Sequence, residues 1–149
     1  IKNLLLSRLT FPQKYNGQNL KMEDGVVFKI FRHMNLKLNE NTEANSIFVV
    51  RFQFEKFNNK INIILSRIPM LLIAGTPGFK DKIWMIDWEN NYWQGLYQWE
   101  DLNSIEAYKQ SFVLNLMNKR AKQNSISEEM IPNMKLEDYI KSRMTEQEA

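Results

Sequence analysis

The stretch KIWMIDWENNYWQGLYQWE, residues 82–100, decides the fold of this chain. Its first half is rich in aromatic and β-branched residues and its second half in aromatic residues, and both kinds of residue favour β-strands. The polar segment Glu89-Asn90-Asn91 lies between the halves and is typical of a short turn. We therefore predict an antiparallel hairpin with strands over Lys82–Trp88 and Tyr92–Glu100.

Another strand is predicted before the hairpin, over Ile47–Glu55. Successive side chains of a strand point to opposite faces, so Phe48 and Val50 share one face and Ile47 and Val49 share the other. Both faces are apolar near the start of this strand, which indicates a sheet that is covered on both sides.

A helix over Asn58–Ala74 connects this strand to the hairpin. Asn58 or Asn59 can cap its first turn, because an asparagine side chain accepts hydrogen bonds from free amides there. Pro69 has no amide hydrogen, so the helix is expected to end or bend near residue 68. An apolar stripe at helical spacing is expected to face the core, and it comprises Phe57, Ile61, Ile64, Leu65, Ile68 and Leu72.

The chain after the hairpin predicts a helix, a strand and a short final helix. Asn103 is expected to cap the first of these helices, whose buried stripe comprises Ile105, Tyr108, Phe112 and Leu116. The strand is predicted over Ser125–Ile131. The final helix is predicted over Leu136–Met144, with Leu136, Tyr139 and Ile140 facing inward.

From residue 46 onward the predicted order is therefore strand, helix, strand, strand, helix, strand, which is the ferredoxin-like βαββαβ order. This is an α+β fold with a four-stranded antiparallel sheet and both helices on one face. The length of 149 residues fits one such domain over residues 46–149, preceded by an N-terminal arm over residues 1–45. Val27–Leu38 is predicted to form an additional strand in the arm, although a helical stripe also fits it.

The sheet face that carries Ile47 and Val49 is too apolar to face water. Pairing of two sheets across a two-fold axis would cover it, so we expect a homodimer. The N-terminal arm is the alternative cover for the same face.

Composition excludes several classes of function. The sequence has no cysteine and one histidine, His33, which excludes thiolate sites and multi-histidine metal sites. The net charge of +3 comes from scattered charges of both signs, so no nucleic-acid partner is expected. The longest apolar stretch, residues 61–74, is too short and interrupted to span a bilayer, so we expect a cytoplasmic protein with no membrane partner.

Three short motifs carry a family resemblance. They are Pro77-Gly78-Phe79-x-x-Lys82-x-Trp84 before and within the first hairpin strand, Gly95-x-Tyr97-x-Trp99-Glu100 within the second, and Ala107-Tyr108 in the next helix. Over roughly residues 46–131 the chain resembles the monooxygenase group of the dimeric α/β-barrel superfamily, related to antibiotic-biosynthesis monooxygenases. The resemblance implies ferredoxin-like dimers. Some members oxidise aromatic polycyclic molecules with molecular oxygen and no metal or flavin, and others bind or degrade haem.

A ligand cavity is expected between the helices and the sheet, with a volume of about 300 Å³ or more. Its expected substrate-binding residues are Trp84, Met85, Trp99, Leu65 and Asn62. Within this set Trp84 and Met85 are alternatives for one part of the wall, Trp99 and Tyr97 are alternatives for another, and Tyr108 is also expected in the wall. The alternative is that these aromatic residues only fill the core and a dimer interface.

The candidate catalytic residues are Tyr97, Tyr108, Arg32 and His33, because oxygenation without a cofactor needs a base or hydrogen-bond donors beside an ionised substrate. Arg32 is interpreted first as half of a salt bridge and second as an anchor for an anionic substrate group. His33 is interpreted first as a solvated surface residue, and its alternatives are proton acceptance and haem ligation.

The predicted function is therefore that of a cofactor-independent monooxygenase-like protein acting on a small aromatic or polycyclic hydrophobic molecule. The alternative is a dimer without catalytic activity that binds a hydrophobic ligand or haem. No metal site is expected, and haem is the one cofactor kept as an alternative.

Overall fold

The computed structural model describes residues 8–37 and 44–145. Residue 38, at the end of the predicted strand 27–38, lies outside the described residues. So do residues 1–7 and 39–43 of the predicted arm and residues 146–149 of the predicted domain. The strands are β1 (Leu9–Thr10), β2 (Asn19–Lys21), β3 (Val27–Leu36), β4 (Ser46–Phe52), β5 (Phe79–Asp87), β6 (Tyr92–Trp99) and β7 (Ser127–Pro132). The helices are α1 (Asn59–Leu65), α2 (Arg67–Ala74), α3 (Leu102–Lys109), α4 (Phe112–Arg120) and α5 (Leu136–Arg143).

All seven strands form one antiparallel sheet in the order β1-β3-β5-β6-β4-β7, with β2 also paired to β3. The inner order β5-β6-β4-β7 is the ferredoxin-like arrangement that the sequence predicts. The sheet is wider than the predicted four strands because β3 pairs with the free edge of β5 and carries β1 and β2 on its own outer edge.

The helix predicted over Asn58–Ala74 is two helices, with the break at Ser66 rather than near residue 68. The Asn58 side chain caps α1 by accepting a hydrogen bond from the Ile61 amide at 2.9 Å. Pro69 is the third residue of α2, in the first turn, where backbone amides have no partner within the helix. The chain therefore breaks early enough for the missing amide of Pro69 to cost no hydrogen bond.

The helix predicted from Asn103 is also two helices, and Asn103 does not cap it. The Asp101 side chain caps α3 by accepting from the Ser104 amide at 2.8 Å, and Ser111 caps α4. Asp101 has the extended backbone that a cap requires, whereas Asn103 already lies inside the helix. Phe112, predicted to be buried, is 71% exposed at the start of α4.

The four helices α1–α4 cover one face of the sheet, over a core that includes Phe48, Val50, Trp93 and Tyr97. The predicted inward stripe of α1 and α2 is wrong: Ile61, Ile64, Ile68 and Leu72 are exposed, and so is Phe57 just before α1. The helix pair instead turns its other side inward, which buries Asn62, Ser66, Ile73 and Ala74.

The other sheet face is covered by the same chain. Ile47 and Val49 are buried in a second core with Leu136, Tyr139 and Ile140 of α5 and with Tyr15, Leu20 and Met22 of the N-terminal arm. The helical segments of the βαββαβ order lie on one face of the sheet as predicted, and the final helix α5 lies on the other face. The homodimer stays a prediction. The sheet face from which it was predicted is already covered by α5 and the N-terminal arm.

Among residues 8–37 and 44–145, no helix has the length and apolar content needed to cross a membrane.

Candidate functional site

A cavity of about 240 Å³ lies between the helical layer and the sheet. Its walls are mainly apolar and come from α1, α2 and α4 on one side and from β5 and β6 on the other, with Leu65, Ile68, Leu116, Trp84, Trp93 and Tyr97 among them. The position between helices and sheet is the predicted one, and the volume is somewhat below the predicted 300 Å³.

Lys82 of β5 places an amine in the wall of this cavity. The residue is only 2% exposed, and its Nζ donates a hydrogen bond to the Tyr97 hydroxyl at 2.7 Å. The same nitrogen lies 4.4 Å from the ring centre of Trp84 and 4.1 Å from that of Tyr97. No carboxylate is among the described residues that line the cavity. The amine is therefore held by aromatic rings and one hydroxyl instead of an anionic partner.

Gly95 creates the space in which this pair lies. It is directly opposite Trp84 in the β5–β6 ladder. A Cβ atom at this position would lie 2.7 Å from Cε1 of Tyr97 and 3.2 Å from Cε of Lys82. The absence of a side chain at Gly95 thus lets the tyrosine ring and the lysine stem lie over the strand.

The environment of Lys82 favours the uncharged amine. Burial holds the pKa of its ammonium group well below the usual 10.5, and the positive charge of Arg32 lowers it further. An uncharged amine has a free lone pair, so Lys82 can accept a proton from a bound molecule.

Tyr97 and Tyr108 remain protonated phenols over a wider pH range than usual. Burial raises the pKa of Tyr97 well above 10, and the neighbouring Tyr108 raises it further. Burial also raises the pKa of Tyr108. The Tyr108 ring packs against Tyr97 and Trp99 behind the cavity wall, and its hydroxyl donates to Sδ of Met117 at 3.8 Å. Of the two phenols, Tyr97 is the one in the cavity wall.

A β-bulge in β3 determines which face of the sheet carries Arg32. The β3–β5 register shifts between Ile30 and Arg32, so Ile30 faces the second core and Arg32 faces the helices. Its guanidinium group lies 5.0 Å from the Trp84 ring centre and donates to Ser66 Oγ and to the Ile63 carbonyl. These neutral oxygens replace the predicted salt bridge, and no carboxylate among the described residues pairs with Arg32. Burial lowers the pKa of Arg32 to about 10, helped by the charge of Arg67.

His33 lies on the opposite side of the sheet from the cavity. Its side chain is buried, and its Nε2 lies 2.6 Å from Oδ1 of Asp81, with the Tyr15 ring alongside. The solvated-surface interpretation is therefore wrong, because the N-terminal arm and α5 cover this face. The position also separates His33 from any ligand held in the cavity.

Only two of the five predicted substrate-binding residues line the cavity. Trp84 and Leu65 line the cavity. Met85 lies on the second face, because neighbouring residues of a strand point in opposite directions. Trp99 is fully buried beside Tyr108 instead of lining the cavity. Asn62 is buried on the inner side of α1, where its amide donates to the Lys56 carbonyl and its oxygen accepts from Arg120.

Sequence reasoning missed Lys82 and Arg120 as site residues. Lys82 stands two residues before Trp84, so strand alternation already placed it on the face of that tryptophan. Arg120, near the end of α4, lines the cavity and lies over the Phe54 ring at 4.7 Å. No local pattern identifies Arg120, because its approach depends on how α4 packs.

No protein-family profile matches the sequence, and no curated protein matches it at a significant level. Several solved structures match the fold, and they include the following three. An anthrone oxidase-like protein has a TM-score of 0.52 at 10% identity, covering 74% of this chain and 55% of its own. A monooxygenase-like protein from Listeria innocua has a TM-score of 0.55 at 12% identity, and the match covers 77% of this chain and 68% of that protein. An uncharacterised ferredoxin-fold protein from Listeria monocytogenes 4b F2365, related to antibiotic biosynthesis monooxygenases, has a TM-score of 0.55 at 10% identity, covering 86% and 93%.

These neighbours confirm the family resemblance at the level of the fold. The chain has a ferredoxin-like fold, which these structures share. It spans about half the length of the anthrone oxidase-like protein. At identities of 10–12%, the comparison carries the architecture and not the chemistry, which must be argued from the residues of this chain.

Proposed function

We propose that this protein is a cofactor-independent monooxygenase-like enzyme that takes a small aromatic, hydrophobic molecule into the cavity under α1, α2 and α4. The observation that carries the proposal is the Lys82 amine, held by Tyr97 in the wall of a mainly apolar cavity without a carboxylate partner among the described residues. A mainly apolar cavity with a few polar groups in its wall is a typical site for a small ligand.

The proposed reaction begins with proton transfer from the substrate to Lys82. A methylene group between two aromatic rings, which conjugate it with a carbonyl group, is acidic enough to lose a proton to an amine whose pKa is lowered. The resulting carbanion passes one electron to dioxygen, and the two radicals combine to form a peroxide at that carbon. Loss of water then leaves a ketone. The balance is CH₂ + O₂ → C=O + H₂O, so dioxygen is the only oxidant and no external reductant is needed.

Two cations of the chain can stabilise the negative charge that forms. Protonated Lys82 remains beside the carbanion, and Arg120 contributes a second positive charge to the cavity wall. Because few water molecules fit into an apolar site, these charges act more strongly than they would in solution. Tyr97, kept protonated by burial, orients the Lys82 amine through its hydroxyl group.

Binding of an apolar molecule without chemistry is the second candidate function, because most of the cavity wall is apolar. Haem is not a suitable ligand for this cavity through His33, since that side chain lies across the sheet and is paired with Asp81. The two candidates share one ligand site and differ only in whether Lys82 removes a proton.

Anthrone is a suitable probe because it contains the required methylene group. We expect the wild-type chain to consume dioxygen and form anthraquinone, and Lys82→Met to lower kcat by about 100-fold or more, the usual contribution of a general base. Tyr97→Phe should lower kcat less. Lys29→Met, an exposed lysine on β3, is the matched control and should leave the rate unchanged.

Quenching of tryptophan fluorescence measures binding separately, because Trp84 and Trp93 line the cavity. Binding of anthrone without oxygen uptake would favour the non-catalytic function. Equal oxidation rates in the wild type and Lys82→Met would remove Lys82 from the mechanism.

A further inference from the structure

The outer surface of α1 and α2 is apolar although it faces solvent. Five large aliphatic side chains along these two helices are 41–63% exposed: Ile61, Ile64, Ile68, Leu71 and Leu72. We refer to these five residues as the aliphatic face. Single exposed apolar residues are common on protein surfaces, but a continuous group along one helix pair marks a surface that contacts another apolar phase.

The segment that carries the aliphatic face contains only positively charged side chains. Residues 56–80 contain no aspartate or glutamate, and Lys60 and Arg67 are exposed on the same helices. The neighbouring helix α4 has no acidic residue either and adds the exposed Lys119. Among the described residues, none of these three cations forms an ion pair, so their charges are available to an external anion.

We propose that the aliphatic face docks on an anionic membrane surface. The aliphatic side chains would enter the boundary between headgroups and acyl chains, while Lys60, Arg67 and Lys119 contact lipid phosphates. This contact is with the surface of the bilayer. It revises the sequence-based expectation of no membrane partner, which rested on the absence of a spanning segment.

A second copy of the chain is a less suitable occupant of the same face. A two-fold contact would place the aliphatic face of one protomer against that of the other, and with it the same set of cations on both sides. No acidic residue of α1, α2 or α4 could neutralise them. An anionic lipid surface supplies both the apolar phase and the opposite charge.

The docking surface and the cavity are connected through the same two helices. Ile68 belongs to the aliphatic face and also lines the cavity, and Leu65 and Pro69 of the same helix pair line it too. The helix pair is thus the layer between the proposed membrane contact and the cavity. A hydrophobic molecule dissolved in the bilayer could therefore reach the cavity along α1 and α2 with little exposure to water.

Co-sedimentation with vesicles tests the proposal. We expect the full chain to bind vesicles of phosphatidylcholine and phosphatidylglycerol at a 7:3 ratio, and to bind pure phosphatidylcholine vesicles much more weakly. Lys60→Gln with Arg67→Gln should weaken binding by about 10- to 30-fold, the effect of removing two surface cations. Ile64→Ser with Leu71→Ser should weaken it as well. Val27→Ser with Lys29→Gln, a matched exposed pair on β3, should have no effect.

Equal binding of the double variants and the wild type, or no binding to the anionic vesicles, would overturn the proposal. So would light scattering that shows a dimer dissociated by Ile64→Ser with Leu71→Ser, since the aliphatic face would then be an interface between copies. Lys82→Met keeps this experiment separate from the enzymatic proposal, because it should bind vesicles normally whether or not it oxidises anthrone.

Discussion

At the scale of single residues, Lys82 shows how burial changes chemistry. An exposed lysine is a solvated cation, but Lys82 is surrounded by Trp84 and Tyr97 and is almost completely buried. Burial without an anionic partner penalises the charged form of the amine. The same environment that makes Lys82 a candidate base therefore reduces the stability of the fold at neutral pH.

Lys82→Met should raise the free energy of unfolding at pH 7 by about 1–2 kcal/mol, because a buried ionisable group is replaced by an apolar one of similar length. The gain should shrink as the pH approaches 10.5. As the pH falls below that value, unfolded wild-type chains take up a proton at Lys82, and folded chains do so only near its lowered pKa. The wild type thus loses stability through this window on acidification, and the variant does not.

Urea denaturation at several pH values measures this difference, and the two buried tyrosines, present in both proteins, cancel from it. A stability difference that does not change between pH 7 and pH 10 would contradict a lowered pKa for Lys82.

At the scale of elements, the helix pair α1–α2 depends on where Pro69 falls. The break at Ser66 puts the proline in the first turn of α2, and the Ser66 hydroxyl binds both the Ile63 carbonyl and Arg32. These bonds fasten the junction of the two helices to β3. The junction therefore has its own anchors and does not depend on the proline alone.

Pro69→Ala should lower the free energy of unfolding by less than about 1 kcal/mol, since the proline only restricts the unfolded chain at a position where its geometry fits. Leu72→Pro is the contrasting variant, because a proline in the interior of α2 removes a helical hydrogen bond and should cost about 3 kcal/mol or more. Thermal unfolding followed by circular dichroism compares them. Similar losses for both variants would show that residue 69 is not in a tolerant first turn.

At the scale of the whole molecule, the chain covers both faces of its own sheet. The α5 helix and the N-terminal arm bury Ile47 and Val49, which a ferredoxin-like sheet of four strands would leave uncovered. Gln98 ties α5 to β6, because its side-chain oxygen accepts a hydrogen bond from the Leu136 amide. The second core thus joins residues from both ends of the described chain.

Ile140→Ala should lower the free energy of unfolding by about 2–5 kcal/mol, the usual cost of a cavity at a fully buried aliphatic position. Because α5 then covers the sheet less well, self-association should also increase with concentration. Lys141→Ala, the exposed neighbour, should change stability by less than about 0.5 kcal/mol. Denaturation and light scattering provide the two measurements, and an unchanged stability of Ile140→Ala would mean that α5 does not hold the second core.

Much of the fold could be predicted from short-range patterns. The alternation in β4, the hairpin of β5 and β6 and the inward face of α5 all follow from the side chains of each segment. The order of the elements then leads to the ferredoxin-like core. In the site, the same alternation put Trp84 and Met85 on opposite faces, but it left open which of the two faced the helices.

Tertiary structure alone decided the rest, because periodicity defines the faces of an element but not which partner each face meets. The apolar stripe of α1 and α2 lies outward, since the buried positions are set by Arg32 and by Arg120, whose guanidinium groups bond to Ser66 and Asn62. The bulge between Ile30 and Arg32 turns Arg32 towards the helices, although Ile30, two residues earlier, faces the second core. Lys82 is a candidate base because helices distant in sequence bury its amine, and this burial does not follow from the local sequence of β5.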